Sequence, residues 1–109
     1  MKNSLKFPDN FIWGTSTAAA QIETASDHIW KGVPALDGSV LDQTIAHEQQ
    51  RAEDVEYIAR LGSMYRCGVD WARLQKSPNA VFEAAVVEEY QTFFRALNDK
   101  GVDILFVLH

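Results

Sequence analysis

Two polar side chains, Gln21 and Glu23, close the stretch Phe11-Ile12-Trp13-Gly14-Thr15-Ser16-Thr17-Ala18-Ala19-Ala20-Gln21-Ile22-Glu23. The stretch reads as a strand leaving a core and running into small residues that allow close backbone packing. A strand end that delivers convergent polar groups is where an α/β protein places its ligand. Arg66 and Asp70 form a second candidate, because they are charges inside an otherwise apolar stretch, Met64 to Trp71. A charge in a buried strand must be paired or must serve a site. A structural ion pair meets that need, and so does an Arg66 that points into a polar pocket at the strand's end. His28 and Trp30 lie in an irregular segment, residues 24–46. Connections this long are usually functional. Trp30 suits a ligand platform, although packing is the commoner role of a loop aromatic.

Other chemistries find no support. Gly14 is isolated, so no phosphate-cradling loop is present. His28, His47 and His109 are scattered, with no pair at helical ligand spacing, so no metal site is expected. No Gly-x-Ser-x-Gly elbow occurs. No cofactor is expected. Cys67 is the one cysteine, which rules out an internal disulfide, and its apolar neighbours mark it as a small buried hydrophobe. The formal net charge of -5, with charges interleaved, argues against a nucleic-acid partner. Residues 1–9 lack the apolar core of a secretory signal, and no window approaches the roughly 18 apolar residues of a membrane span. The expected setting is cytoplasmic, without membrane contact.

The elements that must position these residues follow from periodicity. The 109 residues are expected to form a single domain. Strands are predicted near 11–17, 64–70 and 102–108 and helices near 48–61 and 84–100. Val55, Ile58, Ala59 and Leu61 mark the apolar face of the first long helix, and Gly62 is read as its left-handed stop. Val86, Tyr90, Phe93 and Leu97 mark the face of the second, followed by Gly101. Residues 72–83 are expected to be irregular. The run Val102 to Leu108 is almost continuously apolar, as in a strand covered on both faces. Strands alternating with helices predict an α/β chain of parallel strands joined by right-handed crossovers.

Three stretches together resemble glycoside hydrolase family 1, the β-glucosidase and β-galactosidase family. Phe7-Pro8-x-x-Phe11-Ile12-Trp13-Gly14 through Gln21-Ile22-Glu23 resembles the signature F-P-x-x-F-x-W-G-x-A-T-A-A-Y-Q-x-E-G. Glu53-Asp54-Val55 through Leu61-Gly62 to Tyr65-Arg66 and Trp71-Ala72-Arg73 is similar to E-D-V-x-L-M-x-x-L-G…Y-R-F-S-I-x-W-x-R. Tyr90, Phe93, Leu97, Gly101 and the run ending in Leu108-His109 form the third. The resemblance implies a (β/α)₈ barrel, of which this chain matches the first three strands and two helices. A whole barrel takes roughly 250 residues.

The resemblance also implies a chemistry. Family members are retaining β-glycosidases that use two glutamates about 5 Å apart. These stand in Asn-Glu-Pro and Glu-Asn-Gly motifs, and neither motif occurs here. Glu23 matches a glutamate of the signature that is not catalytic, so no catalytic residue is expected in this chain. Three residues match sugar-binding positions. Gln21 matches a glutamine whose amide suits vicinal hydroxyls. Arg66 matches an arginine beside the nucleophile, where a cation keeps that carboxylate ionised. His109 matches the first place of a pair whose second member binds sugar, and a one-residue shift makes His109 itself the ligand. Ala20, Thr24, Cys67-Gly68 and Ala46 depart from the pattern. The expected function is a fragment of a retaining β-glycosidase, carrying part of the glycone subsite for a small β-glycoside and inactive alone. A non-catalytic carbohydrate-binding module and one half of a split enzyme are the alternatives. Three strands with unpaired edges also favour self-association.

Overall fold

The computed structural model describes residues 4–24, 28–41 and 43–108. Strand β1 (Gly14–Ser16) runs into a four-residue helix, α1 (Ala19–Ile22). Helix α2 (His47–Leu61) leads to β2 (Met64–Cys67). A short helix, α3 (Trp71–Leu74), precedes the long α4 (Ala84–Asp99), which returns the chain to β3 (Asp103–Phe106). The three strands form one parallel sheet in the order β1-β2-β3.

Sheet and helices meet through the alternation of β2. Tyr65 and Cys67 point toward the helices and are buried, at 1% and 3% exposure. They pack with Val55 and Ile58 of α2, Phe93 and Leu97 of α4, and Val102. Phe93 carries the edge-on contacts, its ring lying 6.0 Å from Tyr65 and 4.9 Å from His47. Burial pushes the Tyr65 phenol and the Cys67 thiol each up to about 12, so Cys67 is the inert core thiol its neighbours predict.

The glycines at the two helix ends differ. Gly101 has φ +77°, the left-handed conformation that ends α4. Gly62 has φ 176°, ordinary extended backbone. What Gly62 supplies is space, since a Cβ there would stand 2.3 Å from the Trp13 carbonyl oxygen. That closeness lets Ser63 N–H donate to Trp13 O at 2.9 Å and extends the β1–β2 ladder. Ala46, one of the departures from the family pattern, sits at the start of α2 with φ 53° and offers no side-chain cap.

Further expectations need revision. Residues 72–83 are not wholly irregular, because Asp70 caps α3: its Oδ1 accepts from Ala72 N at 3.1 Å and Arg73 N at 3.4 Å. Asp70 is therefore a helix cap beyond the end of β2, not a charge within the strand. And β3 is covered on one face only, with Leu105 51% exposed and Val107, the next residue on that side, 45% exposed. The opposite face of the sheet, where Ser16, Arg66 and Leu105 lie in register, carries no second layer among the described residues. The Cα radius of gyration, 16.9 Å, accordingly exceeds the roughly 13 Å of a closely packed chain of this size.

Candidate functional site

A cleft of about 680 Å³ opens at the C-terminal ends of the strands. Each wall has a local cause. After β1 the chain continues through Thr17, whose N–H still donates to Arg66 O at 3.0 Å. Ala18 is extended, and the small side chains of Ala18, Ala19 and Ala20 form one side of the cleft. After β2, Gly68, Val69 and Asp70 turn the chain into α3, which brings Trp71 to the opposite side. Trp30 and His28 contribute from the long connection, and Val107 and Leu108 from the end of β3.

Arg66 reaches this cleft from β2 and donates through Nε and Nη2 to Ser16 Oγ, at 3.2 and 2.9 Å. Its cross-strand register with Ser16 sets that contact. No carboxylate pairs with Arg66 among the contacts of the described residues, so its charge faces the cleft and solvent. Gln21 is exposed on α1, next to the alanine wall but not among the residues lining the cleft. His109 lies outside the described residues. The fold thus brings Arg66 and the 17–20 stretch together and leaves Gln21 at the flank.

Behind the alanine wall lies a second polar group, which sequence reasoning did not assemble. Glu23, directly after α1, turns inward and is 2% exposed. Its Oε2 accepts from the Tyr90 hydroxyl at 2.5 Å and lies 3.5 Å from Arg73 Nη1 and 3.7 Å from Arg51 Nη2. Tyr90 in turn accepts from Asp70 N–H at 2.8 Å. Glu89 completes the set, accepting from Arg73 Nη2 at 2.6 Å and Arg51 Nη1 at 3.2 Å. Two carboxylates and two guanidiniums balance in formal charge. The Arg51 guanidinium also lies over the Tyr90 ring, 4.9 Å from its centroid.

Burial raises the Glu23 carboxyl above its ordinary value of 4.5, against the Tyr90 hydrogen bond and the nearby Arg51, His47 and Arg73. Glu89 moves the other way, its carboxyl lowered by the hydrogen bond from Arg73. Tyr90 is raised by burial and by its bond to Glu23. This group is a buried structural node, in keeping with the non-catalytic role implied for Glu23. Tyr90 reads in sequence as part of an apolar stripe, and Arg51 falls off the apolar face that Val55 and Ile58 mark. The available signal was Glu23 itself, because a carboxylate at the end of a buried-looking strand requires cationic and hydroxyl partners.

The described residues contain no cluster of His, Cys, Asp and Glu that could hold a metal ion. No helix among them is long and apolar enough to cross a membrane.

The sequence pattern described as glycosyl hydrolase family 1 matches residues 3–109. Beta-glucosidase A of Thermotoga maritima is 30% identical over 112 residues, covering 92% of this chain and 25% of that protein. Thermostable beta-glucosidase B of Thermobispora bispora is 32% identical over 108 residues, covering 90% of this chain and 23% of that protein. Among solved structures, the family 1 β-glucosidase of Thermotoga maritima aligns with TM-score 0.81 at 26% identity, over 95% of this chain and 26% of that chain. The β-glucosidase of Trichoderma harzianum aligns with TM-score 0.79 at 23% identity, over 100% of this chain and 26% of that one. The chain spans about a quarter of the length of the relatives it matches. Its three parallel strands are part of the barrel those enzymes form.

Proposed function

The chain belongs to glycosyl hydrolase family 1, and on that premise we propose that it carries part of the glycone subsite of a retaining β-glycosidase barrel. The ligand is the sugar unit of a small β-glucoside or β-galactoside. The supporting observation is the cleft at the C-terminal strand ends, where Arg66 and the alanine wall beside Gln21 meet. Its volume suits one or two sugar units, within the usual range of small-molecule sites. Trp30 and Trp71 add aromatic surface on which a sugar ring can stack. Gln21 supplies the amide for hydroxyls and Arg66 the fixed cation, and His109 is the third candidate that the family resemblance offers. The two glutamates that break the glycosidic bond are not supplied by these 109 residues, so the chain alone is inactive. A cytoplasmic setting belongs to the same proposal.

Calorimetric titration with glucose and with a gluconolactam-type analogue tests the reading. Binding is expected, weaker for glucose and lost in Arg66→Ala. No binding of either compound to a folded chain removes the sugar-site reading. Hydrolysis of an aryl β-glucoside by the purified chain removes the claim of inactivity.

The bare face of the sheet favours a second reading, in which another chain supplies the rest of the barrel. Co-expression with the Thermotoga maritima relative lacking its first quarter is the direct check. Restored aryl β-glucosidase activity supports the split enzyme, and an inactive mixture with sugar binding retained favours a non-catalytic module.

A further inference from the structure

Helix α1 spans four residues, too few to be stable by its own hydrogen bonds. It has no side-chain cap at its start and no buried residue of its own. Yet it forms the wall of the cleft and carries Gln21. Something outside the helix must fix it.

The residue that follows does so. Glu23 is buried, and its Oε2 gathers Tyr90 of α4, Arg73 of α3 and Arg51 of α2. Thr24 adds one further tie to α2, its N–H donating to Glu48 Oε2 at 3.0 Å. Tyr90 links the node to the other wall, because the hydroxyl that donates to Glu23 accepts from the backbone of Asp70. Asp70 is the cap that aims α3, with Trp71 as its first residue. The two walls of the cleft are thus joined behind it by three atoms: a carboxylate oxygen, a phenol oxygen and an amide nitrogen.

We propose that Glu23 is a positioning residue for this cleft, acting through the Tyr90 hydroxyl to hold the Gln21-bearing wall against the Asp70–Trp71 wall. Glu23 touches no ligand in this role. It sets how far apart the two walls stand, and so which sugar face Gln21 and Trp71 can address together. The sugar part of this statement rests on the function proposed above, whereas the coupling between walls does not.

Two variants separate the cases. Glu23→Gln keeps an acceptor for Tyr90 but gives up the charge that holds Arg51 and Arg73. Tyr90→Phe keeps the ring packed and removes only the hydroxyl bridge. Amide hydrogen exchange followed by mass spectrometry on the 109-residue chain reads each wall without any ligand. Glu23→Gln is expected to speed exchange over residues 17–24 about tenfold, with less change over α4. Tyr90→Phe is expected to speed exchange over both 17–24 and 68–74, with α2 unaffected. Unchanged exchange over 17–24 in both variants overturns the proposal. So does equal acceleration everywhere, which marks a purely global loss of stability. Where the chain binds glucose, Tyr90→Phe should weaken that binding at least fivefold, and undiminished affinity also overturns the proposal. Where the unaltered chain binds no glucose, the sugar reading fails while the exchange measurement still decides whether Glu23 couples the walls.

Discussion

The two faces of β2 belong to the same four residues and have opposite surroundings. Tyr65 and Cys67 look into a packed core of aliphatic and aromatic side chains. Met64 and Arg66 look the other way, toward a face with no layer over it among the described residues. The covered face is the better finished one, with Tyr65, Cys67 and the helix residues against them buried, although the Thr15 hydroxyl beside Tyr65 is buried without a hydrogen-bond partner. The open face carries Arg66, paired with Ser16, beside Leu105, which is half exposed. All-parallel sheets are normally covered on both sides. One face of this sheet therefore accounts for how the chain holds together, and the other is left open among the described residues.

Substitutions on the covered face should have the largest effect on stability. Phe93 touches Tyr65, His47 and Phe94, so Phe93→Ala opens a cavity at the centre of the core. The expected loss is about 3–5 kcal/mol in urea unfolding. A loss below about 1 kcal/mol would mean that the helices do not rest on this face as described. Gly62→Ala comes next. Its new Cβ meets the Trp13 carbonyl at 2.3 Å, so β1 must shift away from β2. A loss of about 1–3 kcal/mol is expected. If the alanine variant proves as stable as the original, the close approach of the two strands is not needed.

Much of the covered face was legible in the sequence, because it rests on periodicity. Tyr90, Phe93 and Leu97 recur at helical spacing, and all three are buried. Gly62 was legible as a helix end but not for its reason, since the neighbour it makes room for, Trp13, is 49 positions away. The cleft was legible in part. Arg66 stood out as a charge in an apolar run, and the structure places it at the strand ends. The node around Glu23 was not legible, because its members come from four elements and each has an ordinary local explanation. A tyrosine in an apolar stripe and an arginine on a polar face say nothing about each other until the crossovers bring them together. The uncovered face of β3 was misread for a related reason. An apolar run records how much surface needs covering, and not which chain segment covers it.

The node also predicts a pH dependence with two opposite contributions. Glu89 has its carboxyl lowered, so its contribution is present above 4.5 and is lost as the pH falls through its folded value. Glu23 has its carboxyl raised, so its contribution is present below 4.5 and is lost as the pH rises through its folded value. Thermal melts on acidification should therefore separate two variants. Glu89→Gln should lose stability less steeply than the unaltered chain below 4.5, and Glu23→Gln should lack the gain that the unaltered chain makes as the pH falls toward 4.5. The Glu89 effect is modest, since its side chain is 43% exposed and screened by water. Identical acid limbs in the two variants would show that the node does not hold its charges apart as described.

The smallest effect on stability is expected on the open face, where it says most about function. Leu105→Glu replaces a half-exposed leucine in register with Arg66. An exposed site away from the core tolerates such a change within about 0.5 kcal/mol. The new carboxylate also faces a cation across the strands, which is favourable. Association should respond far more than folding, because the variant puts a charge in an apolar patch that an unpaired sheet leaves open. Sedimentation velocity of the two proteins at matched concentration measures this directly. The expected outcome is a lower average mass for Leu105→Glu at unchanged unfolding free energy. A loss of several kcal/mol instead would mean that Leu105 is buried in the working protein by another copy of the chain. In that case the open face would be an interface, and Arg66 would be available to a sugar only when that interface parts.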